Sequence, residues 1–191
     1  MKSRKPANYE QKKADLEALQ ALEEAGEIDV YYGDGAGFGL VPCVPYAWQE
    51  IGTRIELPSF RGKTLNVFGL LNKKNDLDIY QKEGSFKSQN IIDCIDNFCQ
   101  KVCKSTTIVL DNAKVHTSKL FKEKIPEWLL KGVEIFYLPT YSPHLNKIEH
   151  LWRFMKYEWI EFDAYKNFEK LTKYINKIKD NFGKLYTINF E

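Results

Sequence analysis

Apolar and polar positions follow two different periods along this chain, and the switches between them predict its elements. Residues 8–25 place Leu16, Leu19 and Leu22 at helical spacing among Glu, Gln, Lys and Ala, and Gly26 then supplies a stop signal. Residues 28–32 form a short β-prone run, and the glycines around Asp34 predict a strand that ends there in a turn. Two further strands are expected at 53–57 and 64–72, joined by the loop PSFRGK with its Pro58 and Gly62. LDIYQKEG, residues 77–84, would extend these into an antiparallel meander.

From residue 86 the period lengthens. Ile91, Ile92, Ile95, Phe98, Cys99 and Val102 make one broad stripe, predicting a helix over 86–103. TTIVLDN is continuously apolar until its polar end, the pattern of a parallel strand covered on both faces. A helix carrying Leu120, Phe121, Ile125, Trp128 and Leu129 follows, then a second buried strand, VEIFYLP, closed by Pro139. The last clear helix starts near Asn146 and reaches Ile160. Strands first, then alternating helices and strands, describe an α/β fold whose sheet is part antiparallel and part parallel.

The 191 residues suffice for one well-cored domain, and 43% hydrophobic content with 14% aromatics excludes a disordered chain. A net charge of +2 neither demands nor excludes a nucleic-acid partner, so local clustering decides. Basic runs lie at 1–13 and in the tail, where Lys166, Lys170, Lys173, Lys177, Lys179 and Lys184 face few acids; a solvated helix face explains each run equally well. Cys43, Cys94, Cys99 and Cys103 include no CxxC pair and read as reduced thiols, with Cys99 and Cys103 on one helix face. No apolar run of membrane-spanning length occurs, and a soluble intracellular setting is expected.

Three acids stand out by position. Asp34 heads the glycine-rich segment, Asp111 ends the most apolar strand, and Glu149 lies in the first turn of the last helix. Alone, each has an ordinary explanation: turn former, helix cap, or an acid favoured by the helix dipole. Together they suit a hard divalent cation, which takes oxygen ligands and would neutralise three like charges. Such ions activate a hydroxyl and stabilise a departing oxygen in phosphodiester chemistry. Ile148, Leu151, Trp152, Met155 and Trp159 make the buried stripe of that helix, so Glu149, Arg153 and Lys156 share another face, suited to phosphate contact or to a simple ion-pair row. Arg61 and Lys63 on the PSFRGK loop are further candidates for the DNA backbone, although loop exposure explains them as well. Trp128, Trp152 and Trp159 read as core, while Trp48 is more open. A metal site of His116, His144 and Glu149 is conceivable but unneeded for hard-cation chemistry; His116 is expected to orient a water or cap the helix after Asp111.

GDGAGFGL, IVLDNAKVHTS and YLPTYSPHLNKIEHLWRFMK resemble, in order and spacing, the catalytic core of mariner-superfamily insertion-sequence transposases of the DDE type. The resemblance runs from about Glu27 to Ile160. It implies a ribonuclease-H-like mixed sheet flanked by helices, with residues 27–191 as catalytic domain and 1–26 as a helical linker. It implies Asp34, Asp111 and Glu149 as catalytic acids holding two Mg²⁺ or Mn²⁺ ions, and supporting positions at Asn112, His116 and Asn146. It further implies DNA cleavage at element ends and strand transfer into target DNA, by a homodimer in a bacterial-type cytoplasm near the nucleoid. Gly35 stands where relatives often carry Glu, Lys147 where they often carry Pro, and the 37 residues between Asp111 and Glu149 slightly exceed the usual gap. Relatives begin with helix-turn-helix modules, and nothing before Glu27 is long enough for one; a catalytic fragment, the downstream product of a split reading frame and a truncated remnant all fit, and end recognition would then need another polypeptide. Two other readings stay open: a remnant that binds DNA or a partner without cutting, and a different ribonuclease-H-like nuclease.

Overall fold

The computed structural model describes residues 8–43, 50–52 and 62–190. The expected opening helix is present as α1 (Tyr9–Glu24), with Leu16 buried beneath it. The strand that follows, β1 (Asp29–Phe38), runs on through the glycines instead of turning. Gly33, Gly35 and Gly37 all have ordinary negative φ, so their left-handed freedom is not what the strand uses. Gly33 is needed for its missing side chain. A Cβ there would stand 2.6 Å from Leu110 Cδ2 and 2.9 Å from Leu70 Cδ2. Asp34 is therefore a mid-strand residue and not the head of a turn.

β2 (Leu65–Asn72) and β3 (Leu77–Glu83) complete the antiparallel meander. The strand expected at 53–57, with Arg61 and Trp48, lies outside the described residues. α2 (Ser88–Cys99) stops before Cys103, which is exposed away from the helix, whereas Cys94 and Cys99 are buried. β4 (Thr106–Leu110) is buried throughout. A short turn of helix, α3 (Lys114–Thr117), leads to α4 (Lys119–Leu130), then β5 (Val133–Tyr137). On α4 only part of the expected stripe is core. Phe121 and Trp128 are fully buried, but Leu120 and Leu129 are 46% and 58% exposed.

The five strands form one sheet in the order β3-β2-β1-β4-β5, with β1, β4 and β5 mutually parallel. Because side chains alternate across a sheet, each strand feeds two cores. Val30, Tyr32, Val67, Leu71 and Val109 face α1 and the C-terminal helices, and Phe68, Leu70, Ile108 and Leu110 face α2 and α4.

The last expected helix divides. Pro143–Leu145 make a single tight turn, α5 (Ile148–Phe154) follows, and the backbone widens over Met155–Trp159, where Ile160 N–H reaches back to the Met155 carbonyl. Beyond it lies α6 (Phe168–Asp180), in the lysine-rich tail that reads only as a charged run. Leu171, Ile175 and Ile178 recur at helical spacing there and are all buried. The lysines point outward, and Lys170 and Lys173 pair with Asp163 and Glu169.

α5 sits on β2 at Gly69, where an added Cβ would meet Trp152 Cη2 at 2.9 Å and Ile148 Cδ1 at 3.0 Å. Gly69→Val is expected to push α5 off the sheet and to lower stability by about 2 kcal/mol, as overpacked cores do. Urea denaturation monitored through Trp fluorescence checks this. An unchanged midpoint would mean that the helix seat does not depend on the glycine.

Candidate active site

Strand parity places the first two acids together. Tyr32 of β1 pairs in register with Val109 of β4, and both side chains enter the core on the α5 side. Asp34 is two residues beyond Tyr32 and Asp111 two beyond Val109, so each returns to that face at the same height. Neighbouring strands lie ~4.8 Å apart. Glu149 comes from the first turn of α5, which packs on the same face. Asp34, Asp111 and Glu149 border one cavity of about 100 Å³, together with Leu138, Pro139, Tyr141, Ser142, Pro143 and Asn146.

The three carboxyls are not electrostatically alike. Burial pushes the Asp34 carboxyl up to about 7; a hydrogen bond from Gly35 N–H opposes this, and the charges of Glu149 and Asp111 add to it. Asp111 is held below the usual carboxylate range, chiefly by a hydrogen bond from His116 and further by one from Ala113 N–H. His116 Nδ1 lies 2.8 Å from Asp111 Oδ1, and with the carboxylate ionised the proton must sit on that nitrogen. His116 is itself fixed: its ring is buried between Phe68 and Phe121, and its backbone carbonyl accepts from Tyr137 Oη at 2.6 Å.

His116 thus orients a carboxylate, not a helix end. Ser118 caps α4 instead, accepting from Phe121 N–H at 3.2 Å. Asn146 is buried and donates from Nδ2 to the Gly33 carbonyl at 3.0 Å, tying the loop before α5 to the strand residue next to Asp34. Asn112 donates to the Leu138 carbonyl at 2.6 Å and joins the ends of β4 and β5. His144 accepts or donates at 3.0 Å with Tyr9 Oη of α1, and among the described residues His116, His144 and Glu149 form no group that could hold a metal ion.

Glu149, Arg153 and Lys156 share one face of the helix, as their spacing predicts. They line a wider depression of about 550 Å³ with Pro143, His144, His150, Trp152 and Tyr157. Glu149 and Pro143 border both hollows, so the basic depression opens beside the acids. Lys156 Nζ stands 5.6 Å from the centre of the Phe38 ring, a cation–π contact that keeps its stem along β1. Lys63 borders neither hollow. It pairs with Glu83 at 3.3 Å, one strand edge away.

An all-oxygen set of three acids, one of them burdened by the other two, fits a hard divalent cation. Among the described residues no three His, Cys, Asp or Glu side chains stand together closely enough to hold a metal ion.

Two features of the site went unread in the sequence. Tyr141 borders the acid cavity and is 92% exposed, on a backbone at φ 58, a left-handed conformation that costs a bulky residue on the order of 1 kcal/mol. α1 also reaches the site loop: Tyr9 bonds His144, and Lys12 donates to the Tyr137 carbonyl at the end of β5. The spacing of Tyr9, Lys12 and Leu16 on one helix face was the available signal for that contact.

Comparison with known proteins places the fold and the family. An uncharacterised protein of Sinorhizobium fredii, y4pE/y4sA, is 28% identical over 85 residues, covering 42% of this chain and 58% of its own. The Mos1 mariner paired-end complex with Mn superposes with a TM-score of 0.59 at 17% identity, over 92% of this chain and 55% of that one. The catalytic domain of Mos1 mariner transposase gives 0.54 at 15% identity, over 88% and 78%. At such identities the structural likeness speaks for the fold, which is ribonuclease-H-like. The chain spans little more than half the length of the first two proteins. The family described as DDE superfamily endonuclease matches residues 29–172, three quarters of the molecule and all three acids, and the chain belongs to that family.

Proposed function

We propose that this chain cuts DNA phosphodiester bonds with the help of divalent cations and joins the freed 3′-hydroxyl to target DNA. The observation that carries the reading is the convergence of Asp34, Asp111 and Glu149 on one small cavity beside a basic depression. Asp34 and Asp111 would hold one cation, and Glu149 with one of them a second. Bound there, Mg²⁺ or Mn²⁺ supplies activation of the attacking hydroxyl and neutralises charge on the leaving oxygen.

The chain's own residues prepare that site. His116 keeps Asp111 ionised and aimed. Asp34 would give up its proton when the site is filled, because a bound cation would offset the burial that chiefly raises its carboxyl and the charges of Glu149 and Asp111 that add to it. Asn146 fixes the backbone that carries Asp34. Arg153 and Lys156, which line the depression beside Glu149, would offer phosphate contacts to a duplex. The substrate would be paired DNA ends held by a homodimer, in keeping with the paired-end state in which Mos1 has been solved with Mn.

Incubating the protein with a labelled DNA duplex and Mg²⁺ or Mn²⁺ is expected to give nicks ending in 3′-hydroxyls, and EDTA to stop them. An RNA–DNA hybrid run alongside should be cut far less. Absence of nicking, with the duplex still bound, would instead establish a DNA-binding protein that does not cut.

A further inference from the structure

The most exposed aromatic ring bordering the acid cavity is Tyr141, and the chain holds it there against its own backbone preference. The residue is 92% exposed, its φ is 58, and among the described residues its hydroxyl has no hydrogen-bond partner. Nothing about packing requires this. A ring that contributes nothing to the core and sits on a strained residue is kept for something outside the fold. Its neighbours keep it in place: Pro139 and Pro143 stiffen the segment on either side, and Asn146 anchors the loop to β1.

Resting on the nuclease reading above, we infer that Tyr141 is a stacking platform for a nucleobase flanking the scissile phosphate. Two facts select a base over other ligands. The cavity beneath the ring is lined by three acids, which repel any anion not accompanied by cations. A flat, uncharged ring at its lip matches the one part of DNA that is itself flat and uncharged. Aromatic side chains stack on any base, so the contact would grip an unpaired or splayed nucleotide without reading its sequence. With the phosphate at the acids, the adjoining base is the group within reach of a ring on the same rim.

The test uses duplexes with a single cleavage position mapped for the wild-type chain in Mn²⁺. An abasic nucleotide is placed in turn at each of the two positions flanking that phosphate. Tyr141→Gly is expected to slow nicking of the intact duplex roughly tenfold, the worth of one base–aromatic stack. On the duplex abasic at the stacked position, wild type and Tyr141→Gly should cut equally. Tyr141→Phe should keep the wild-type rates on both. Thermal denaturation should show Tyr141→Gly melting no lower than wild type, since glycine accepts the positive φ. An equal loss on intact and abasic duplexes, or no loss at all, overturns the stacking role while leaving the nuclease reading intact. A wild-type chain that cuts no duplex overturns both.

Discussion

Asp111→Asn is expected to lower cation-dependent nicking by about a thousandfold while leaving the melting temperature nearly unchanged. The asparagine keeps the shape of the side chain and an oxygen that can accept from Ala113 N–H and from His116, the two hydrogen bonds that hold Asp111 in place. What it removes is a charge facing the cavity. A lost cation ligand forfeits several kcal/mol of transition-state stabilisation, and about 4 kcal/mol corresponds to that factor. A variant that nicks at the wild-type rate would take Asp111 out of the chemistry. One that unfolds would show that His116 needs the charge for stability rather than for cutting.

The second large effect concerns Asp34 and depends on pH. Its carboxyl, pushed from 3.8 up to about 7 in the folded chain, binds a proton more tightly than it does unfolded. The stability this provides is complete below pH ~4 and is lost as pH rises through ~7. In the absence of cations Asp34→Asn should therefore stabilise the protein at pH 8, by roughly 2 kcal/mol once the solvent-open side of the cavity is allowed for. At pH 4 the gain should disappear. Urea denaturation in EDTA at the two pH values measures the difference. An equal gain at both would assign it to packing instead of charge. The same proton competes with cations, so the apparent Mn²⁺ affinity of the wild type should fall about tenfold for each pH unit below ~7.

How much of this was legible in the sequence differs from element to element. TTIVLDN and VEIFYLP announce buried parallel strands because nothing polar interrupts them, and α2 shows its stripe plainly. The glycines around Asp34 misled because a cluster of that residue signals a turn far more often than a strand. Here the pressure comes from Leu110 and Leu70, contributed by other strands, and no local pattern reveals them. α6 was hidden by its lysines, although Leu171, Ile175 and Ile178 carry the period. The acids were visible only as a set. Their common face follows from counting residues by twos from Tyr32 and Val109, but that count needs a register which only the paired strands supply. Tyr141 could not be found this way, since its distinguishing property is a dihedral angle.

The bond from Asn146 to the Gly33 carbonyl joins positions 113 apart in the chain. Contacts of such separation form last, because so much slack must be taken up before they close. A ribosome will have released β1 and β4 into a growing sheet well before residues 146–149 emerge. Until they do, the growing polypeptide has two of its acids and no third. The order of synthesis thus withholds the complete acid set until the loop before α5 has docked on β1.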